Sequence, residues 1–363
     1  MSTRITPKPG ILDIELYVGG KGHAAGVSNS VKLSSNENPW GPSEAAKQAY
    51  RSVAGELHVY PSGDHAELRA AIGEVHGVDA DRVICSNGSD ELISFLCQAY
   101  AGAGDEVLFT EHGFLMYKLC AQGAGATPVS VPETDRRTDV DALLAAANEN
   151  TKLVFIANPN NPTATMISEE EVARLADGLP EQALLVLDGA YAEFVEGFDG
   201  HAGLVEEREN VFMTRTFSKI YGLGGLRLGW GYGPVTIVDT LHRMRGPFNV
   251  NASVLAAGEA AVRDVEYTQK CREVNAQWAE YLREKLMGMG IACDPSQTNF
   301  VLARFGSEAE ADGADKALGD AGLIVRAVKS YGLAECLRIT VGKGADCKRV
   351  VQVLQEFKEG WVA

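Results

Sequence analysis

The sequence predicts an α/β protein: a mostly parallel sheet with helices on both faces, followed by a smaller α+β part. Three observations carry this. From about Pro42 to Gly246, apolar runs of strand length alternate with amphipathic helical stretches. The runs are continuously apolar rather than alternating, as strands covered on both faces are. After Asn251 the pattern changes to one long helical stretch, then strands, then a closing helix.

Residues 1–40 are rich in Gly, Pro, Ser and Asn without an apolar period, and form an arm expected to pack with the second part. Strands are expected at 83–85, 107–109, 153–157, 184–187 and 211–213, with helices at 91–100, 140–148 and 169–179 between them. This gives a first domain over 41–250. In the second, over 251–363, residues 252–288 form one helix with almost no breaker. Strands are then expected at 299–303, 324–326 and 336–341, and a helix near 348–357.

Composition narrows the function. Hydrophobic residues make up 45% and charged residues 23%, the balance of an ordinary folded chain. The net charge of −16 disfavours a nucleic-acid or acidic-membrane surface, since phosphates would be repelled. Seven cysteines, odd in number and without a Cys-x-x-Cys pair, predict neither a disulfide framework nor a zinc site. The histidines lack metal-ligand spacing, so no metal is expected. Neither a signal-peptide core at the amino end nor a run of about 18 apolar residues is present, and a cytoplasmic protein is expected.

The turns after the strands are more specific, because ligands in open parallel sheets bind beyond the carboxyl ends of the strands. There stand Ser86-Asn87-Gly88-Ser89-Asp90, Asn158-Pro-Asn-Asn161-Pro-Thr163, Asp188-Gly-Ala-Tyr191 and Thr214-Arg-Thr216-Phe-Ser218-Lys219. Residues 87–90 open a helix. They suit either a phosphate on free backbone N–H groups or a plain cap made by Ser89 or Asp90. Asp188 ends an apolar strand, where an unpaired carboxylate is costly, so it requires a cation, whether of a ligand or of a salt bridge. Lys219 sits in an apolar, glycine-flexed turn, where burial near other cations yields a free amine able to form an imine. The segment 218–229 misses the third glycine of a dinucleotide fingerprint, Arg227 standing in its place. A Gly-x-x-x-x-Gly-Lys-Ser/Thr loop and a Gly-x-Ser-x-Gly elbow are also absent.

Asn161-Pro-Thr, Asp188-x-x-Tyr191, Ser218-Lys219 and Arg227, in this order and spacing, resemble the fold type I pyridoxal-phosphate-dependent aminotransferases, most closely the histidinol-phosphate aminotransferase family. The resemblance runs from Leu16-Tyr17 and Asn36-Glu-Asn-Pro39 through Tyr60-Pro61 to Cys336-Leu-Arg338-Ile-Thr-Val-Gly342. It implies a large domain with a seven-stranded, mostly parallel sheet and a smaller α+β carboxyl-terminal domain. It also implies pyridoxal 5'-phosphate, held as an imine on Lys219, with Asp188 at the ring nitrogen and Tyr191 and Asn161 at the phenolic oxygen. Phe114, where the family often has Tyr, would stack on the ring. Gly88, Ser89, Asp90, Thr216, Ser218 and Arg227 would hold the phosphate. Tyr60 would reach the phosphate of a partner subunit, implying a homodimer with shared sites.

Lys219 would further act as the general base of a ping-pong transamination. Arg338 would clamp a carboxylate, Arg326 and Tyr17 would meet the substrate phosphate, and Asn36 would join the substrate site. The alternative, on the residues alone, is that Arg326 is a strand-edge surface residue and Tyr17 a core anchor. The substrates implied are histidinol phosphate and 2-oxoglutarate. An aromatic amino acid donor, a decarboxylase and a non-catalytic cofactor-binding protein are the alternatives. Ala164 departs from the family's usual Gly and predicts a turn with negative φ.

Overall fold

The computed structural model describes residues 5–8, 10–16 and 30–361, and Tyr17 lies outside them. Twelve strands appear among these residues: β1 Val31–Lys32, β2 Val83–Ser86, β3 Glu106–Thr110, β4 Thr127–Val131, β5 Thr151–Ala157, β6 Leu184–Asp188, β7 Val211–Thr216, β8 Gly229–Tyr232, β9 Phe300–Arg304, β10 Leu323–Ile324, β11 Arg326–Val328 and β12 Leu333–Thr340. The helices between and after them are α1 Glu44–Ser52, α2 Ala66–His76, α3 Ser89–Tyr100, α4 Met116–Ala124, α5 Val140–Ala146, α6 Glu169–Gly178, α7 Ala202–Glu207, α8 Val235–Met244, α9 Ala252–Arg263, α10 Val265–Gly288, α11 Glu308–Asp320 and α12 Gly344–Gly360.

Seven strands form one sheet in the order β2-β8-β7-β6-β5-β3-β4. The pairs from β4 to β7 are parallel, and β8 runs antiparallel to both its neighbours. The carboxyl ends of β2, β3, β5, β6 and β7 therefore meet at one edge, where β8 begins. Both faces are covered. Leu153 and Phe155 of β5 and Leu184 and Val186 of β6 enter one apolar cluster. Their alternates Val154, Ile156, Leu185 and Leu187 enter another. This explains why these runs carry no polar alternation.

A second sheet, β11-β12-β9, is antiparallel, and β1 pairs in parallel with β10. Leu33 is buried with Leu282, Val301, Ile339 and Val350 in the core behind this sheet. The expected helix over 252–288 is two helices, because Asp264 caps the second by accepting from the Tyr267 N–H. Of the two, α9 packs against α1 and α2 and buries Val254, Ala257 and Ala261 in the core of the large sheet. The expected strand at 324–326 divides between β10 and β11.

Candidate active site

At the common edge lies a cavity of about 410 Å³ lined, among others, by Asn36, Ser89, Asp90, Phe114, Asn161, Asp188, Tyr191, Thr216, Ser218, Lys219, Arg227, Arg326 and Arg338. The sheet builds one side. Gly88, at φ +83°, ends the turn after β2 and starts α3, and no side chain caps that helix. The cap by Ser89 or Asp90 is thus absent, and the start of α3, which lines the cavity through these two residues, suits an anion. Its packing is close: a Cβ at Gly229 would lie 2.4 Å from the Ser89 nitrogen, and one at Gly88 2.5 Å from an Arg227 Nη2. Arg227 takes a left-handed φ of 56°, and its Nη1 donates to Ser218 Oγ at 3.1 Å and to the Gly224 carbonyl at 3.0 Å. Its Nη2 donates to Asp90 Oδ2 at 3.3 Å, and Thr216 Oγ1 donates to Ser218 Oγ at 3.0 Å. Hydroxyls, a guanidinium and a helix start thus converge on one spot, a donor set fitted to a phosphate.

Asp188 ends β6 in the floor of the cavity. Its Oδ2 accepts from the Tyr117 hydroxyl at 2.8 Å and its Oδ1 from the Ala190 N–H at 3.1 Å. Burial pushes its pKa up to about 6, against the pull of the Tyr117 bond. Among the described residues no cation lies within ion-pair distance of it. The sequence required a cation here, and no described residue supplies one in contact.

Lys219 stands nearby with its Nζ 5.7 Å from the centre of the Tyr191 ring. Burial, and then the positive Arg338, bring its pKa down to about 8, which leaves about a tenth of the amine unprotonated at pH 7. The Tyr191 hydroxyl accepts from Asn36 Nδ2 at 2.8 Å, and burial pushes its pKa up to about 12. Asn36, at φ 56°, is tied to both lobes, since Thr340 Oγ1 donates to its Oδ1 at 3.0 Å.

The second sheet supplies the opposite wall. Arg326 and Arg338 are direct partners across β11 and β12, so they project from the same face. Like charges placed so repel each other unless an anion lies between them. Arg338 is buried, donating from Nη2 to the Ser34 carbonyl at 2.7 Å and from Nη1 to Asn161 Oδ1. Phe114 lies on the large-sheet side, edge-to-face with Tyr117 at 5.9 Å.

Tyr60, expected at a partner subunit's site, lies outside the cavity of its own chain, 78% exposed and stacked on Phe248 with ring centres 4.7 Å apart. One expectation meets a different structure. Ala164 does not take a negative φ. It is left-handed at 63° with its methyl buried, because its N–H is bonded to the Asn160 carbonyl and its carbonyl to the Gln297 N–H. These bonds hold the turn against a local preference of about 1 kcal/mol. Sequence reasoning missed Tyr117 and Tyr331, which touch Asp188 and line the cavity respectively. Tyr117 comes three residues after Phe114, the spacing that puts two side chains on the same side of a helical turn.

A donor set fitted to an anion, a depressed lysine amine, a buried carboxylate with no described cation in contact and two arginines line one cavity, a lining suited to group transfer on an anionic substrate. Residues 28–354 match the family described as aminotransferase class I and II, and the chain belongs to that family. Among its relatives are the histidinol-phosphate aminotransferases of Ruegeria sp. (strain TM1040), 62% identical over 99% of both chains, and of Ruegeria pomeroyi, 61% identical over 98% of this chain and 99% of that one. The crystal structure of histidinol-phosphate aminotransferase from Sinorhizobium meliloti in complex with pyridoxal-5'-phosphate is 28% identical. It superimposes with a TM-score of 0.90 over 99% of this chain and 98% of that one.

Proposed function

We propose that this chain is a pyridoxal-phosphate-dependent aminotransferase that moves the amino group of histidinol phosphate to 2-oxoglutarate. The observation that carries the substrate is the Arg326–Arg338 pair. In histidinol phosphate, a phosphate ester occupies the end where an amino acid has its α-carboxylate. A dianion at that end engages both guanidinium groups, while a single carboxylate satisfies one. 2-Oxoglutarate carries two carboxylates, one for each arginine, so the same pair serves both halves of the reaction.

The residues present fit the cofactor. The α3 start, Thr216, Ser218 and Arg227 would hold its phosphate, Lys219 would be its covalent anchor, and Phe114 would cover its ring. Asp188, with no cation in contact, would hold a proton at the ring nitrogen, and the Tyr191 hydroxyl and Asn161 would bond the ring oxygen. When bound, pyridoxal phosphate supplies a conjugated ring that accepts the electron pair left as the donor's Cα–H bond breaks. Once the donor's amine takes its place on the group, Lys219 Nζ, with its pKa near 8, would take that proton and could return it to the cofactor carbon on the far side of the nitrogen, since one flexible amine reaches both. The Arg326–Arg338 pair orients the donor so that its Cα faces Nζ.

Tyr60 supports a homodimer. It stacks on Phe248, and with Leu57 and Val59 nearby in the chain these large apolar side chains are exposed, as those covered by a second copy would be. No described helix is long and apolar enough to cross a membrane. We place the enzyme in the cytoplasm.

The test is a side-by-side measurement of kcat/KM for histidinol phosphate, phenylalanine and tyrosine with 2-oxoglutarate as acceptor. Histidinol phosphate is expected to exceed the aromatic donors by a hundredfold or so, the worth of a second charged hydrogen-bonded clamp. A larger kcat/KM for phenylalanine or tyrosine makes this an aromatic aminotransferase instead.

A further inference from the structure

Tyr117 has no part in the transamination roles of the other residues, yet it touches two of the groups that hold the ring. Its side chain is completely buried. One face stacks on Phe155 of β5, with centres 4.9 Å apart and planes 10° from parallel. Phe114 meets it edge-to-face at 89°. Its hydroxyl donates to Asp188 Oδ2 at 2.8 Å, while Oδ1 takes the Ala190 N–H at 3.1 Å. The carboxylate is thus held by two donors from different elements, α4 and the turn after β6, which fixes its plane as well as its position.

We propose that Tyr117 is the positioning residue that sets the Asp188 carboxylate plane and the Phe114 ring together, aligning the group that would meet the cofactor's ring nitrogen with the one that would cover its face. This rests on the proposed role of pyridoxal phosphate. Stacking on Phe155 ties the phenol to the floor of the sheet, so Phe114 and Asp188 are referred to the same rigid strand. The hydroxyl donates to Oδ2 only while that oxygen carries no proton. Tyr117 therefore works against burial to keep Asp188 ionised, and Asp188 in turn helps burial to hold the phenol protonated. The charged and titratable groups around the pair are Asp90 of α3, Lys219 beyond β7, Tyr191 after β6 and Tyr331 from the opposite lobe.

The test uses the full-length chain and Tyr117→Phe, which keeps both ring contacts and removes only the hydroxyl. Asp188 is titrated by infrared difference spectroscopy of its carboxyl band, assigned with Asp188→Asn, and the Kd for pyridoxal phosphate is then measured. Loss of one charged hydrogen bond is expected to raise the Asp188 midpoint by about one pH unit and to weaken binding about tenfold. If Tyr117 served packing alone, Tyr117→Phe, with both ring contacts kept, would leave the midpoint and the Kd in place. Either an unmoved midpoint or an unchanged Kd overturns the inference. Should Tyr117→Phe not fold, the tyrosine C–O stretch of the wild type is monitored instead. It is expected to shift over the pH interval in which Asp188 titrates and to lose that shift in Asp188→Asn; a stretch indifferent to Asp188 overturns the inference. A wild type that binds no pyridoxal phosphate refutes the functional reading. A wild type that binds it, beside an unperturbed Tyr117→Phe, refutes this inference alone.

Discussion

Adding one methyl group at Gly229 should disable the phosphate cradle without touching any side chain that contacts ligand. Gly229 opens β8 and is paired with Ser86 of β2 on one side and Thr216 of β7 on the other, so the sheet fixes its backbone. A Cβ there would lie 2.4 Å from the Ser89 nitrogen and 2.5 Å from the Gly88 carbonyl carbon, and ordinary contact begins at 3.4 Å. The first turn of α3 must withdraw by the difference, about 1 Å, since nothing flexible stands in the way. That displacement stretches a backbone N–H bond to phosphate oxygen from about 2.9 Å to about 3.9 Å, beyond hydrogen-bonding range. Two such bonds to a charged group, at about 1.5 kcal/mol or more each, amount to roughly a hundredfold in Kd. Overpacking should cost about 1–3 kcal/mol of stability as well. The assay is titration of the cofactor-free protein with pyridoxal phosphate, with a melting curve on the same sample. Gly123→Ala, in α4 with nothing within 4 Å of its added Cβ, is the control. It should leave Kd alone and add about 0.5–1 kcal/mol of stability. A Gly229→Ala protein that melts like wild type and binds within threefold of it refutes the reasoning.

Three further outcomes are expected. Asp188→Asn should stabilise the cofactor-free chain while abolishing transamination. In the fold this carboxyl titrates at about 6 against an ordinary 3.8, so its stabilising contribution is present below 3.8 and lost as pH rises through 6. The interval corresponds to up to roughly 3 kcal/mol, so the advantage of the variant in urea titrations should grow between pH 4 and 6 and then level; a gap independent of pH would falsify the assignment. Lys219 titrates at about 8, so capture of pyridoxal phosphate by the cofactor-free chain, read by absorbance and borohydride trapping, should quicken with pH and flatten above about 8. A rate still climbing at pH 10 contradicts the depressed amine. Arg326→Gln should lower kcat/KM for histidinol phosphate by about 10–100-fold and leave that for phenylalanine within a few-fold. An equal loss with both donors removes Arg326 from phosphate recognition.

The strands legible in advance were those buried on both faces, such as β5 and β6, where continuous apolar runs leave no other assignment. Two strands of the large sheet were not legible, for different reasons. Edge strand β4, Thr127–Val131, is half solvated and contains Pro128, which only an edge tolerates. Strand β8, Gly229–Tyr232, looks like a loop because its glycines make room for Phe212 and the start of α3, needs that belong to neighbours remote in the chain. The chemistry at the strand ends was visible because it clusters in short motifs, and Asp188, Lys219, Asn161 and Arg338 do meet in one cavity. Pairwise geometry stayed hidden. The Tyr117 bond to Asp188 spans 71 positions, and the opposition of Arg326 to Arg338 depends on a β-register. The turn at Ala164 misled because local backbone preference was set against hydrogen bonds from distant segments, and the latter prevailed.

The strap formed by residues 31–38 also governs when a newly made chain can become competent. Val31 pairs with Leu323, Asn36 is bonded to Thr340 and Tyr191, and the Ser34 carbonyl receives Arg338. A ribosome that has delivered all seven strands of the large sheet has delivered Tyr191 but not yet Leu323, Arg338 or Thr340, the strap's partners in the second lobe. Synthesis must run past residue 340 before residues 31–38 have all of these partners, and termination between β8 and β12 leaves the strands of the large sheet complete without the opposite wall of the site.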